Sequence, residues 1–350
     1  MPTAIAPSSD TGRPRPSPAM LAVLLAFQVL LAFGLSEAAL QVMYRHPLRV
    51  YPAALRTFFR AEYFYRRHII QLDERTARYD PELLYTLRPG TFTFSNLEFS
   101  TPYTVNSLGV RDVEQSLTQP EIVVVGDSYA MGWGVQQHES FPELLRQRTG
   151  RRLLNTGIAS YGTTREMRLL DRVDLSRATT LVVQYHPNDF DENDAFETHG
   201  NRHEPSSREE WLAVMVPEKR VPRYWPFPMV YSAATWIKRS IEGRRRGGYE
   251  DLSYPADRAA RLFLNALMHA PQHDLSHLRI VAFDVDPDPA FIQALGRMHT
   301  APEYPQYIHD LVVVNVSARL TPDLFYELDD HMRPAGHVML ADALLPAVVR

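Results

Sequence analysis

Cysteine is absent from this chain, which excludes disulfide staples, thiolate metal sites and a cysteine nucleophile together. That composition agrees with an oxidising compartment. A basic excess is also lacking. Lys and Arg total 37 against 41 Asp and Glu, the formal net charge is −4, and the basic residues are dispersed, so no nucleic-acid partner is expected. The one basic cluster, Arg244-Arg245-Arg246 beside Gly247-Gly248, is short and reads as a solvated loop. No internal repeat is visible, and 350 residues suffice for one large core with appendages.

Only one hydrophobic run is long. Residues 1–18 are rich in Pro, Ser and Thr and are expected to be disordered. From Ala19 to Leu35 the sole polar side chain is Gln28. Together with Ala38 to Met43 this makes a helix of about 20 residues or slightly more, enough to cross a bilayer at 1.5 Å per residue. A transmembrane anchor over residues 19–43 is the expected reading. Its rival is a cleaved signal peptide with Ser36 and Ala38 at the cut, but the run exceeds the usual apolar core of about 7–15 residues. Arg45, Arg49, Arg56 and Arg60 follow the run, so the charge rule alone would keep the remainder cytoplasmic.

Residues 44–115 read as a juxtamembrane helix, Tyr51 to Arg78, and a small β extension through Tyr85 to Arg111. Residues 116–350 alternate strand-like and helix-like stretches, which argues a parallel, doubly wound α/β sheet. The interval 190–254 reads as an insertion within it. Arg223-Tyr224-Trp225-Pro226-Phe227-Pro228, with Tyr231 and Trp236, makes it unusually aromatic.

The chemistry concentrates after Ile122-Val123-Val124-Val125, a β-branched run typical of a buried parallel strand. Gly126-Asp127-Ser128 closes it in a tight turn, where open α/β sheets collect ligands. Ser128 is the candidate nucleophile, and Asp127 is expected to brace the turn. A base is available in His331, on the loop before an apolar helix. Asp329 is placed to orient its ring, with Asp330 as the competing carboxylate. Asn188, at the end of Thr180 to Tyr185, offers an amide to an oxyanion, and the turn Asn155 to Gly162 offers a backbone N–H. His337 and His138 are assigned to the surface or to a supporting layer.

These four segments resemble, in chain order, the blocks of the SGNH (GDSL-type) hydrolase superfamily, from about Val105 to the C-terminus. The resemblance implies a flavodoxin-like sheet, a serine nucleophile, a histidine base, and an oxyanion hole built from the serine N–H, a second N–H and the asparagine. By that alignment the second N–H falls on Ser160, with Gly162 nearby. His186 stands where a small residue usually precedes the Asn-Asp pair and is assigned to substrate binding. The usual Asp-x-x-His is replaced by Asp329-x-His331, a spacing similar to that of bacterial polysaccharide O-acetylation proteins such as those acting on alginate. Anchored relatives imply a periplasmic or extracytoplasmic catalytic domain. The expected activity is a cofactor- and metal-free serine esterase acting on O-acyl, above all acetyl, esters of a glycan or lipid-linked saccharide. The alternatives are an O-acyltransferase using the same residues and a non-catalytic glycan-binding relative.

Overall fold

The structure, a computed structural model, describes residues 17–50, 53–215, 226–242 and 254–349. The expected disorder before Ser17, part of the aromatic stretch (Arg223-Tyr224-Trp225) and the basic cluster at Arg244 lie outside the described residues. The chain divides into two compact units: Met1–Phe58 with Pro222–Arg245, and Phe59–Val221 with Arg246–Arg350.

In chain order, helices α1 (Pro18–Arg45) and α2 (Ala53–Arg66) precede two hairpins, β1 (Ala77–Asp80) with β2 (Leu84–Leu87) and β3 (Gly90–Ser95) with β4 (Ser100–Val105). Next come β5 (Ile122–Val125), α3 (Ser128–Met131), α4 (Phe141–Thr149), β6 (Leu153–Asn155), α5 (Thr163–Leu170) and β7 (Thr180–Tyr185). Helices α6 (Asp189–Thr198), α7 (Arg208–Met215), α8 (Pro228–Ile241) and α9 (Ala256–His269) follow. The chain ends with β8 (Arg279–Asp284), α10 (Ala290–Met298), α11 (Gln306–His309), β9 (Val312–Val314) and α12 (Pro334–Val348).

In the first unit α1 runs for 28 residues from an N-cap at Ser17, whose hydroxyl accepts from the Met20 N–H. By length and composition it can cross a membrane, and none of its apolar window is buried. Toward its carboxyl end Glu37 receives the first turn of α8: one carboxylate oxygen accepts from the N–H groups of Met229 (2.9 Å) and Val230 (3.0 Å). Ring contacts Phe33–Phe227 (5.5 Å) and Phe58–Trp236 (5.8 Å) complete the unit's packing.

The second unit is built on a five-stranded parallel sheet in the order β6-β5-β7-β8-β9. This is the flavodoxin-like order, and its switch point lies beside β5. Side chains alternate between two covered faces. Val123, Val125, Leu181, Val183, Ile280 and Ala282 pack on one side with residues of α5, α9 and α10. Ile122, Val124, Val182, Val281 and Phe283 pack on the other with α4 and α12. Burial on both faces is why the strands read as continuous β-branched runs, and each such side chain contributes roughly 1.5–3 kcal/mol. Phe94, Phe99, Tyr103 and Val105, from β3, β4 and their connection, form a third cluster with Met131 and Trp133, just beyond the nucleophile turn.

Two sequence expectations need correction. The helix after the anchor stops at Arg66 instead of reaching Arg78, which lies in β1. Asn96 explains the stop: its side chain accepts from the His68 N–H and donates to the His68 carbonyl, drawing the backbone toward the β3–β4 turn. Nor does the appended segment begin at Phe190. Phe190 and Phe196 of α6 and Trp211 of α7 are buried in the main core, so the departure comes after α7.

Candidate active site

A turn under tight constraint presents Ser128. A Cβ on Gly126 would approach Gln184 Oε1 to 2.6 Å, so only glycine fits. That Gln184 oxygen accepts the N–H groups of Asp127 (3.0 Å) and Ala130 (3.3 Å), while the Asp127 carboxylate caps α3 by accepting from the Tyr129 N–H at 2.9 Å. Beyond α3 the fully buried Arg111 donates to the carbonyls of Met131, Gly132 and Val135. Strand, side-chain clamp and buried cation thus hold the serine at the carboxyl end of β5.

The loop before α12 delivers His331, the candidate base. Glu98 accepts three successive N–H groups, from Glu327, Leu328 and Asp329, at 2.8–2.9 Å, which orders the approach to His331. His331 Nε2 lies 2.7 Å from Ser128 Oγ, and its Nδ1 lies 2.5 Å from Asp329 Oδ1. Three side chains stand in line as nucleophile, base and orienting carboxylate would. The Trp133 ring stacks on the imidazole (centroids 4.6 Å apart, planes at 16°), fixing the ring plane.

Asp329 and Asp330 both reach His331 Nδ1, but differently. Asp329 is fully buried, and its second oxygen accepts from the Tyr63 hydroxyl and from Trp133 Nε1 (3.2 Å). Asp330 lies at 3.1 Å with a side chain 23% exposed, and Arg67 Nη1 donates to it at 3.0 Å. The closer, drier and better oriented group is Asp329. Although Asp329, Asp330 and His331 are close enough together to ligate a cation, a guanidinium, a phenol and an indole N–H already point at the carboxylates.

Burial alone would lower the His331 pKa, but the charges of Asp329 and Asp330 outweigh it and push it up to about 9. As a general base the imidazole must be neutral. We therefore expect kcat/KM to rise about tenfold per pH unit below this value and to level off near pH 9, measured with a short acyl ester. A profile already flat at pH 7 would contradict that assignment. For stability the sign runs the other way: the charged pair stabilises the fold fully below 6.5, the ordinary value, and this is lost as pH rises through about 9.

Of the expected oxyanion donors, the Ser128 and Ser160 N–H groups donate to no group among the described residues. Ser160 sits at φ +60°, in the left-handed region that favours glycine. Gln71 Nε2 donates to its hydroxyl at 2.8 Å, and the Tyr85 hydroxyl holds the preceding carbonyl, of Ala159, at 2.7 Å. The N–H of Gly162, the nearby alternative, is taken by Glu192 at 3.2 Å. Gly157 permits this turn to lie directly on α3, since a Cβ there would come within 2.4 Å of the Met131 nitrogen.

Asn188 is brought beside the nucleophile turn, its amide donating one hydrogen to Asp127 Oδ2 across a long 3.3 Å. Its carbonyl oxygen lies 3.0 Å from His186 Nδ1, and the His186 ring is 5.3 Å from that of Tyr129. Behind this loop, burial first and then the neighbouring carboxylates, Asp189 for Glu166 and Asp127 for Asp189, push the Glu166 and Asp189 carboxyls well above the usual range. His337 is buried rather than superficial. Its Nδ1 accepts from the Phe141 N–H at 3.3 Å, and burial with Arg111 nearby depresses it to about 3, so it ties α12 to α4 as a neutral ring.

Tyr63, Arg67, Glu98 and Gln184 escaped the sequence reading. Tyr63 and Arg67 lie four apart, one face at helical spacing, the only local signal of a shared target. Glu98 and Gln184 carry none.

No family model and no curated protein matches the chain. Among solved structures it is similar to a member of the lipolytic protein G-D-S-L family from Veillonella parvula DSM 2008, at 10% identity and a TM-score of 0.38, over 65% of this chain and 98% of that one. It is similar to TesA at 11% identity and a TM-score of 0.37, over 65% and 97% of the two chains. Phospholipase A1 from Streptomyces albidoflavus NA297 matches at 13% identity and a TM-score of 0.32, over 66% and 98%. Likenesses this slight leave activity and substrate to the side chains themselves.

Proposed function

We propose that the chain is a membrane-anchored serine esterase of the SGNH type that removes O-acyl groups, above all acetyl, from a glycan or lipid-linked saccharide. The relay from Ser128 through His331 to Asp329, at 2.7 and 2.5 Å, carries this reading. Ser128 Oγ attacks the ester carbonyl as His331 Nε2 takes its proton, and Asp329 stabilises the imidazolium. The N–H groups of Ser128 and Ser160, with the second amide hydrogen of Asn188, receive the oxyanion, each donor being worth roughly 3 kcal/mol. The imidazolium then protonates the departing sugar oxygen, and water, deprotonated by the same ring, releases the acyl group. His186, at the edge of the Asn188 loop, contacts the alcohol portion.

An acyltransferase, with a sugar hydroxyl in place of water, is the second reading. The Asp329-x-His331 spacing favours it. An intact relay weighs against a purely binding protein. The full-length chain in detergent, given a chromogenic acetyl ester with and without an oligosaccharide acceptor, tests both. We expect acetate release in either case; acetylated sugar made at the expense of acetate would mark a transferase, and absence of both products would overturn the reading.

Retention of the anchor is supported by α1, which stays helical through Ser36 and Ala38 while Glu37 caps α8. A catalytic unit outside the cytoplasm is part of the same proposal, supported by the absence of cysteine.

A further inference from the structure

We propose that the open face of α8 lies against the lipid bilayer beside α1. This rests on the reading of α1 as a membrane anchor and adds a second lipid-contacting element to it.

Helix α8 has two apolar faces. Met229 is buried, and Trp236, seven residues on, packs on Phe58. A second stripe, Val230, Ala234, Ile237 and Ile241, follows at the i, i+4, i+7, i+11 spacing of one helical face. Among the described residues little covers its later part: Val230 is half-buried, Ala234 is exposed, and Ile237 and Ile241 are 52% and 81% exposed. Ser232, Thr235, Lys238 and Arg239 occupy the remaining side. The hydroxyls of Thr235 and Ser240 donate to carbonyls four residues back, Tyr231 and Trp236, both at 2.9 Å, so neither requires water.

Position identifies the occupant as lipid. Phe227 meets Phe33 and the first α8 turn meets Glu37, so α8 starts beside the end of the apolar run of α1 and the two helices advance in the same direction there. Leu35 and Val42 of α1 are themselves 63% and 60% exposed, which makes the stripe continuous with the surface a bilayer would cover. At 14 residues, about 21 Å, α8 is too short to span. Its apolar start faces acyl chains, while Lys238 and Arg239 near its end reach the phosphates. Glu37, which would be costly at that depth as a free carboxylate, is matched by two N–H donors and the positive end of the α8 dipole.

Because the chain has no cysteine, single nitroxide labels can be placed without background. Full-length Ala234→Cys, Ile237→Cys, Val29→Cys and Asp323→Cys proteins would be labelled and reconstituted in phosphatidylethanolamine–phosphatidylglycerol vesicles. Collision with oxygen, which concentrates in lipid, is compared with collision with a water-soluble nickel chelate. We expect positions 29, 234 and 237 to favour oxygen several-fold over position 323. If 29 favours oxygen while 234 and 237 behave like 323, α8 is solvated and the inference falls, with the anchor intact. Labels at 234 and 237 shielded from both reagents would mean a protein partner, and would equally overturn it. A water-like label at 29 would remove the anchor, and this inference with it.

Discussion

Ser128→Ala is expected to abolish turnover of a short acetyl ester, lowering kcat by roughly 10⁴-fold or more while the domain stays folded. The side chain is small, and its polar partner is His331, so its loss leaves no cavity of consequence. The turn is held by groups other than the Ser128 hydroxyl, namely Gln184 Oε1, the Asp127 carboxylate and Arg111. Thermal unfolding should therefore scarcely move. Near-normal turnover in this variant would sink the esterase and the transferase readings together, since both need the same nucleophile.

Asp329→Asn is expected to reduce kcat/KM by about 10²- to 10⁴-fold, against less than about tenfold for Asp330→Asn. The upper figure applies if the amide turns the imidazole to the wrong tautomer. The lower applies if Asp330, 3.1 Å from the same nitrogen, partly substitutes. The two variants also differ in their pH profiles. Removing either charge lowers the His331 pKa, so Asp330→Asn should shift the rising limb to lower pH while keeping most of the plateau. The opposite ranking of the two variants would transfer the orienting role to Asp330. A limb that stays in place would mean the Asp330 charge is not felt at the ring.

The sheet was legible because both its faces are covered. A strand such as β5, buried throughout, has no reason to alternate and shows as an unbroken β-branched run. Turn chemistry made Gly126 and Ser128 visible, and the short spacing between Asp329 and His331 kept that pair together. What supports them was hidden for a physical reason. Tyr63 reaches Asp329 across 266 positions, and Glu98 reaches the same loop across more than two hundred. Contacts of that span leave no periodicity in a sequence. The juxtamembrane segment read simply as a helix because its pattern reports helix, not what the helix touches. The extent of the insertion was misjudged likewise: α6 is strongly acidic, with Asp189, Asp191, Glu192 and Asp194, and two buried phenylalanines with polar pairs such as Thr164 and Asn193 attach it to the core. The docking of α8 through Glu37 follows from backbone N–H groups, which every residue other than proline carries and no composition reveals.

Ser128 and His331 are 203 residues apart, with the base on the loop before the last helix. At a synthesis rate of about 5–20 residues per second, the ribosome makes Ser128 roughly 10–40 s before His331. Through that interval, and through any passage across a membrane as an unfolded thread, the serine is an ordinary alcohol. Docking of residues 327–329 onto Glu98 would then act as a built-in arming step, because the candidate relay closes only once the loop carrying His331 has been made and folded.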